Sequence, residues 1–215
     1  MLILVSGLPR AGKSSFAHAA ESLQDGYTHV PLDKYILEVP EGLSFLAWVA
    51  SPECVDWPLL QTHLQCLADS QACFTPAPDW NNRGKRISAG GSETGGRLMK
   101  PAARGYLLPG CYAFHFPMSH DSIYRVFIST PRSVLAERLT GRPVEEAEAT
   151  SILNQHLSPN WEKIEAYSQE ADLVISGIEA PQAQVQVLLD ALRRLDQGRR
   201  AKAGFVLRSA DHRRW

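Results

Sequence analysis

Near the start of the chain, Gly7-Leu8-Pro9-Arg10-Ala11-Gly12-Lys13-Ser14 has the residue types and spacing of a phosphate cradle, GxxxxGK[ST], without a mismatch. The chemistry dictates each position. The glycines let the backbone take positive φ and bring amide N–H groups close to an anion. A helix starting near Lys13 would add the positive end of its dipole. The lysine is a mobile point charge for β- and γ-phosphate oxygens, and the Ser14 hydroxyl can ligate Mg²⁺. Gly7, Pro9, Arg10, Ala11, Gly12, Lys13, Ser14 and Ser15 are therefore the expected nucleotide-binding residues, with ATP and Mg²⁺ as the implied cofactors. The motif alone does not separate a kinase from a GTPase or a motor ATPase.

A carboxylate follows at Asp33, at the end of the second extended run. From the C-terminal end of a strand beside the cradle, it could take a proton from an attacking hydroxyl or hold a water of the Mg²⁺ shell. Asp is equally common as the cap of a following turn. Spacing alone leaves both readings open.

The elements that must position these groups alternate. Residues 2–6 form a short apolar run bounded by Gly7, a buried strand. Helical spacing follows over 13–23, with Phe16, Ala19, Ala20 and Leu23 as the apolar stripe. Strands are expected at 27–32, 104–108, 123–128 and 171–176. Helices are expected at 58–69, 131–140, 146–168 with an interruption near Ser158-Pro159, and 181–195. Strands alternating with helices predict a three-layer α/β P-loop NTPase fold with a mostly parallel central sheet. Residues 76–103 break the pattern with proline, glycine and basic side chains and little periodicity, as a functional insertion would.

At 215 residues the chain suits one such domain, expected over 1–196, with a basic tail over 197–215 that reads as a frayed end. A 44% hydrophobic content supports a core, and a formal net charge of −1 gives no global drive toward nucleic acid or an anionic membrane. The N-terminal apolar run is too short for a signal peptide or a span. Cys54, Cys66, Cys73 and Cys111 lack CxxC pairing and read as reduced thiols, so a cytoplasmic location is expected. The expected partner is a small molecule, with self-association left open.

Several segments, in order, resemble the uridine kinase and phosphoribulokinase group of P-loop kinases. They are Asp33-Lys34-Tyr35; Pro52 to Asp56-Trp57 leading into Leu60 and Leu64; Pro78-Asp79-Trp80 with Arg83 and Arg86; Ile128-Ser129-Thr130 with Leu135, Arg138 and Arg142; and Ala171 to Ile175. The likeness spans roughly residues 3–190. It implies phosphoryl transfer from ATP to a hydroxyl of a nucleoside or related metabolite. It makes Asp33 the base, Lys13, Arg138 and Arg142 the charges on the transferred group, and 138–150 a lid. Tyr35, Asp79, Trp80 and Arg83 or Arg86 become acceptor contacts, and Ser14 with Asp33 holds Mg²⁺. Trp80 is placed to stack on an aromatic acceptor. The chain departs from the group at Pro109-Gly110, where the group has a glutamate before glycine. A sugar- or antibiotic-modifying kinase and a nucleotide-binding regulator are the rival readings. The missing glutamate favours the regulator, and Asp33 with the arginine pair opposes it. His115 and His120 read as loop histidines that could line the cleft.

Overall fold

The computed structural model describes residues 1–23, 26–86, 96–117, 123–157 and 159–210, with side chains of the last helix described to 197. The chain runs β1 (Leu2–Ser6), α1 (Lys13–Leu23), β2 (Tyr27–His29), α2 (Phe45–Trp48), α3 (Trp57–Ala68), β3 (Cys73–Phe74), β4 (Pro78–Asp79), β5 (Lys85–Arg86) and β6 (Leu98–Met99). It continues through β7 (Gly105–Pro109), β8 (Ile123–Ser129), α4 (Arg132–Thr140), α5 (Glu146–His156), α6 (Trp161–Ala166), β9 (Leu173–Ser176) and α7 (Pro181–Ala210).

Five strands form one sheet in the order β2-β7-β1-β8-β9, and every neighbouring pair is parallel. β1 lies at the centre because its apolar run is buried on both faces: Ile3, Leu4 and Val5 are fully inaccessible, as are Leu107 and Leu108 of β7 and Val126 of β8. Val5 sits in register with Pro109 on one side and Val126 on the other. This brings the carboxyl ends of β1, β7 and β8 to one edge of the sheet, where open α/β sheets bind their ligands. α1 packs on α7, and α4 on α5.

The structure departs from the sequence expectations in three places. The second strand stops at His29. Val30 N–H still donates to Leu107 O at 2.8 Å, and then Leu32–Tyr35 closes a 3₁₀ turn that carries Asp33. On α1, Phe16 and Ala20 are buried as expected, but Ala17 joins them in place of the half-buried Ala19, and Leu23 is exposed. The expected interruption of the 146–168 span is present: it splits into α5 and α6 around Pro159, whose ring removes a helical donor; Ser158 lies outside the described residues. The last helix runs past 195 to Ala210, so the backbone of the tail is helical well beyond the point where fraying was expected. The insertion is also partly built: β3 pairs with β6, and β4 with β5, as two small antiparallel ladders. Among the described residues there is no disulfide, and no helix is long and apolar enough to cross a membrane.

Candidate functional site

The phosphate loop leaves β1 through a backbone that only certain residues tolerate. Gly7 has φ +148°, and a Cβ there would lie 2.7 Å from the carbonyl oxygen of Ile128 in β8. A side chain at this position would push the loop off the sheet. Arg10 and Gly12 also have positive φ, and the turn closes through Ala11 N–H to Leu8 O at 3.1 Å. α1 starts at Lys13, so its N-terminal dipole faces the loop.

Lys13 is folded onto its own loop. Its ammonium donates to Gly7 O at 2.9 Å and Leu8 O at 2.8 Å, and lies 3.4 Å from Cys111 Sγ. Cys111 is fixed in turn by Ser6 Oγ, which donates to its carbonyl at 2.8 Å. The end of β7 therefore presents Pro109, Gly110 and a thiol where the resemblance expects a carboxylate.

Two cavities open beside the loop. The first, of about 430 Å³, includes Arg10, Lys13, Ser14, Asp33, Cys111 and Leu139 in its lining. Asp33 is the one carboxylate among its described lining residues. The second, of about 720 Å³, includes Asp33, Ile36, Val39, Phe45, Trp80 and Arg83. Asp33, Ile36 and Phe45 belong to both, so the two volumes meet at Asp33. Asp33 is exposed on its 3₁₀ turn. Pro31 is the cap residue of that turn, and no side-chain cap bond is made there, so the capping reading of Asp33 finds no support.

Other candidate residues are engaged in ways that sequence could not show. Tyr35, read as an acceptor contact, is fully buried, with its hydroxyl 2.9 Å from His63 Nδ1; it faces neither cavity. Arg86 is ion-paired to Asp56 Oδ2 at 2.7 Å, while Asp56 Oδ1 accepts from Leu59 N–H at 3.1 Å and caps α3. Arg83 turns its fork toward the 39–43 loop, donating through Nε to Val39 O at 3.1 Å and through Nη2 to Pro40 O and Leu43 O. Asp79 Oδ1 accepts from Asn81 N–H at 3.0 Å, which sets the turn holding Trp80. Trp80 is 43% exposed and meets Phe45 edge-to-face, ring centroids 5.6 Å apart.

The two arginines assigned to the lid differ. Arg138 donates to Arg10 O at 2.9 Å and to Gly177 O at 3.0 Å, tying α4 to the back of the phosphate loop and to the turn after β9. Arg142 is exposed and pairs with Glu148 at 2.6 Å, which holds the Glu148 carboxyl below its ordinary range. His115 is exposed against the Tyr167 hydroxyl and lines neither cavity; His120 lies outside the described residues, as do 87–95 of the insertion.

Sequence reasoning missed three supports. Phe45 gave no signal in sequence. Thr130 follows β8, which flanks β1, and Gly177 follows β9 on the far side of β8; both could have been found from the strand-end rule. Thr130 Oγ1 donates to Ala11 O at 3.1 Å, and a Cβ on Gly177 would lie 1.8 Å from that hydroxyl.

No protein-family model matches the chain, and neither does any curated protein sequence. Solved structures do. A candidate fructose transport system kinase from Silicibacter sp. TM1040 superposes with a TM-score of 0.56 at 22% identity, over 81% of this chain and 89% of that one. A gluconokinase from Sinorhizobium meliloti 1021 has a TM-score of 0.48 at 16% identity, over 94% and 96%. At such identity the likeness speaks to architecture. Together with the parallel sheet and the loop between β1 and α1, the likeness to the Silicibacter protein establishes that the chain has the three-layer α/β P-loop NTPase fold.

Proposed function

We propose that the chain is an ATP·Mg²⁺-dependent kinase that phosphorylates a hydroxyl of a small molecule. The observation that carries this reading is the position of Asp33 on the seam between two volumes. One contains Lys13 and Ser14 of the phosphate loop; the other is large enough for a separate acceptor.

In this reading Ser14 and Asp33 supply oxygen donors of the kind Mg²⁺ prefers, and the ion when bound would neutralise charge on the β- and γ-phosphates. Lys13 leaves the Gly7 and Leu8 carbonyls to meet the phosphates. Asp33 orients the acceptor hydroxyl and takes its proton. Arg138 acts through the phosphate loop, whose Arg10 carbonyl it holds. Arg142 would have to break its pair with Glu148 to join the site. The Silicibacter protein is described as a kinase, which agrees with this reading, although likeness at that identity speaks only to fold.

One observation favours the regulator reading: β7 ends in Pro109-Gly110-Cys111, with no carboxylate for the Mg²⁺ shell. Measuring ADP release from ATP·Mg²⁺ across a panel of nucleosides, sugars and amino alcohols separates the two. The kinase reading expects release that depends on at least one acceptor. Release with no acceptor dependence across the panel supports the regulator.

A further inference from the structure

A second cluster of chemistry-bearing side chains lies away from both cavities. His18 and Glu21 are three residues apart on α1 and share one face of the helix. α1 packs against β2, whose last residue is His29. One ligand atom from each of the three side chains lies within 4.8 Å of the other two. The cluster is distinct from the phosphate loop, since Glu21 stands about 10 Å further along α1 than Ser14.

The hydrogen bonds around these residues are unevenly spread. Glu21 Oε1 accepts from His29 N–H at 3.2 Å and from the Arg97 guanidinium. Arg97 Nη1 lies 3.2 Å from His29 Nδ1. One oxygen of Glu21 and one nitrogen of His29 are thereby used. Glu21 Oε2 and the exposed His18 imidazole make no hydrogen bond to a described residue. His29 is 3% exposed, and its Nε2 is buried with no partner at all among the described residues. Buried nitrogens are seldom left this way.

Two imidazoles and a carboxylate are the donor set of Zn²⁺ and its borderline neighbours, whereas Mg²⁺ and Ca²⁺ take oxygen. A tetrahedral ion with bonds of about 2.1 Å holds its ligand atoms about 3.4 Å apart, so this cluster needs to contract by no more than about 1.4 Å. His18 sits on the exposed side of α1, where it has room to move inward.

We propose that His18, Glu21 and His29 form a Zn²⁺-class metal site, and that the ion and Arg97 compete for it. The competition follows from the ring proton. A guanidinium only donates, so in contact with Arg97 the His29 Nδ1 is the acceptor and a neutral ring carries its proton on Nε2. Zn²⁺ on Nε2 requires that proton to pass, by way of solvent, to Nδ1. Two donors then face each other, and the Arg97 Nη1 contact breaks. Arg97 leads into β6 of the insertion. The ion therefore exchanges a tether between the insertion and α1 for a clamp between α1 and β2.

The test titrates Zn²⁺ alone, against a chromophoric chelator, into the chain stripped of metal and free of nucleotide. One ion per chain is expected, at micromolar affinity or tighter. His18→Ala, at an exposed position, should weaken binding by about tenfold or more without moving the metal-free urea midpoint. Arg97→Ala should tighten binding, because it removes the competing cation. Co²⁺ in place of Zn²⁺ should give the visible absorption of a nitrogen and oxygen site, without the near-ultraviolet thiolate band that binding at the cysteines produces. No binding in this range, binding unchanged in His18→Ala, weaker binding in Arg97→Ala, or a thiolate spectrum overturns the proposal. Nucleotide is absent throughout, so each of these results is independent of the kinase reading.

Discussion

Lys13 Nζ lies 3.4 Å from Cys111 Sγ, just past the end of β7, where the resemblance drawn from sequence implies a carboxylate. The lysine is thus held by neutral acceptors, the thiol and the carbonyls of Gly7 and Leu8. No opposite charge has to be stripped away when phosphate arrives. Among the described residues lining this cavity, Asp33 is left as the sole carboxylate.

Replacing Lys13 by Ala should abolish nucleotide turnover, and it should also be felt without nucleotide. Gly7 O and Leu8 O would lose a charged donor, which costs on the order of 1–2 kcal/mol in the apo protein. Urea denaturation with and without ATP·Mg²⁺ should show a modest apo loss and no stabilisation by nucleotide. Wild-type stabilisation by ATP in the variant would contradict the assignment.

Arg138 and Arg142 should separate cleanly. Arg138→Ala removes two bonds to backbone carbonyls of the loop and the post-β9 turn, so the apo protein should lose about 1–3 kcal/mol before any chemistry is assayed. Arg142→Ala removes an exposed pair and should leave the apo midpoint unchanged. Identical apo midpoints for both variants would mean that the Arg138 bonds carry nothing.

Arg86 was read as an acceptor contact, and its pair with Asp56 predicts another role. Arg86→Ala should lower stability while leaving the acceptor KM near wild type. Asp56→Ala should cost more, about 1–2 kcal/mol, because it also removes the cap of α3. A raised acceptor KM in Arg86→Ala at unchanged stability would restore the acceptor role.

His29 gives the fold an acid-sensitive joint. It is 3% exposed, and Nε2 has no hydrogen-bond partner within the protein. Burial first, and then the nearby His18 and Arg97 charges, push its pKa down to about 4. An unfolded histidine titrates near 6.5, so between those values the unfolded chain holds a proton that the folded chain does not. The stabilisation is complete above about pH 6.5 and is lost as pH falls toward 4, up to about 3 kcal/mol. Urea midpoints from pH 7 to 4.5 should fall for the wild type and fall less steeply for His29→Gln. Parallel curves would remove His29 from the acid response.

Legibility in the sequence followed locality. The phosphate loop could be read because eight consecutive residues carry both its shape and its charge, and the parallel sheet because Ile3, Leu4, Val5 and their counterparts are apolar on both faces. The larger cavity was only half legible. Trp80 and Asp33 were visible by type, but Phe45 reaches the site through a four-residue helix that no periodicity announces. The fate of Tyr35, Arg83 and Arg86 depended on distant partners, His63, the 39–43 carbonyls and Asp56, which spacing along the chain does not encode. The α1 stripe was read correctly at Phe16 and Ala20 and missed at Ala17 for a related reason: packing on α7 and the sheet decided which further alanine was buried.

The central claim is that Asp33 serves phosphoryl transfer across the seam between the two cavities. The direct measurement is acceptor-dependent ADP release by wild type and Asp33→Asn, each at saturating ATP·Mg²⁺, with the acceptor that the panel identifies. Asn keeps the shape but cannot take the proton. The account predicts ATP affinity near wild type and transfer slower by at least about a hundredfold. Equal transfer rates in the two proteins would contradict it.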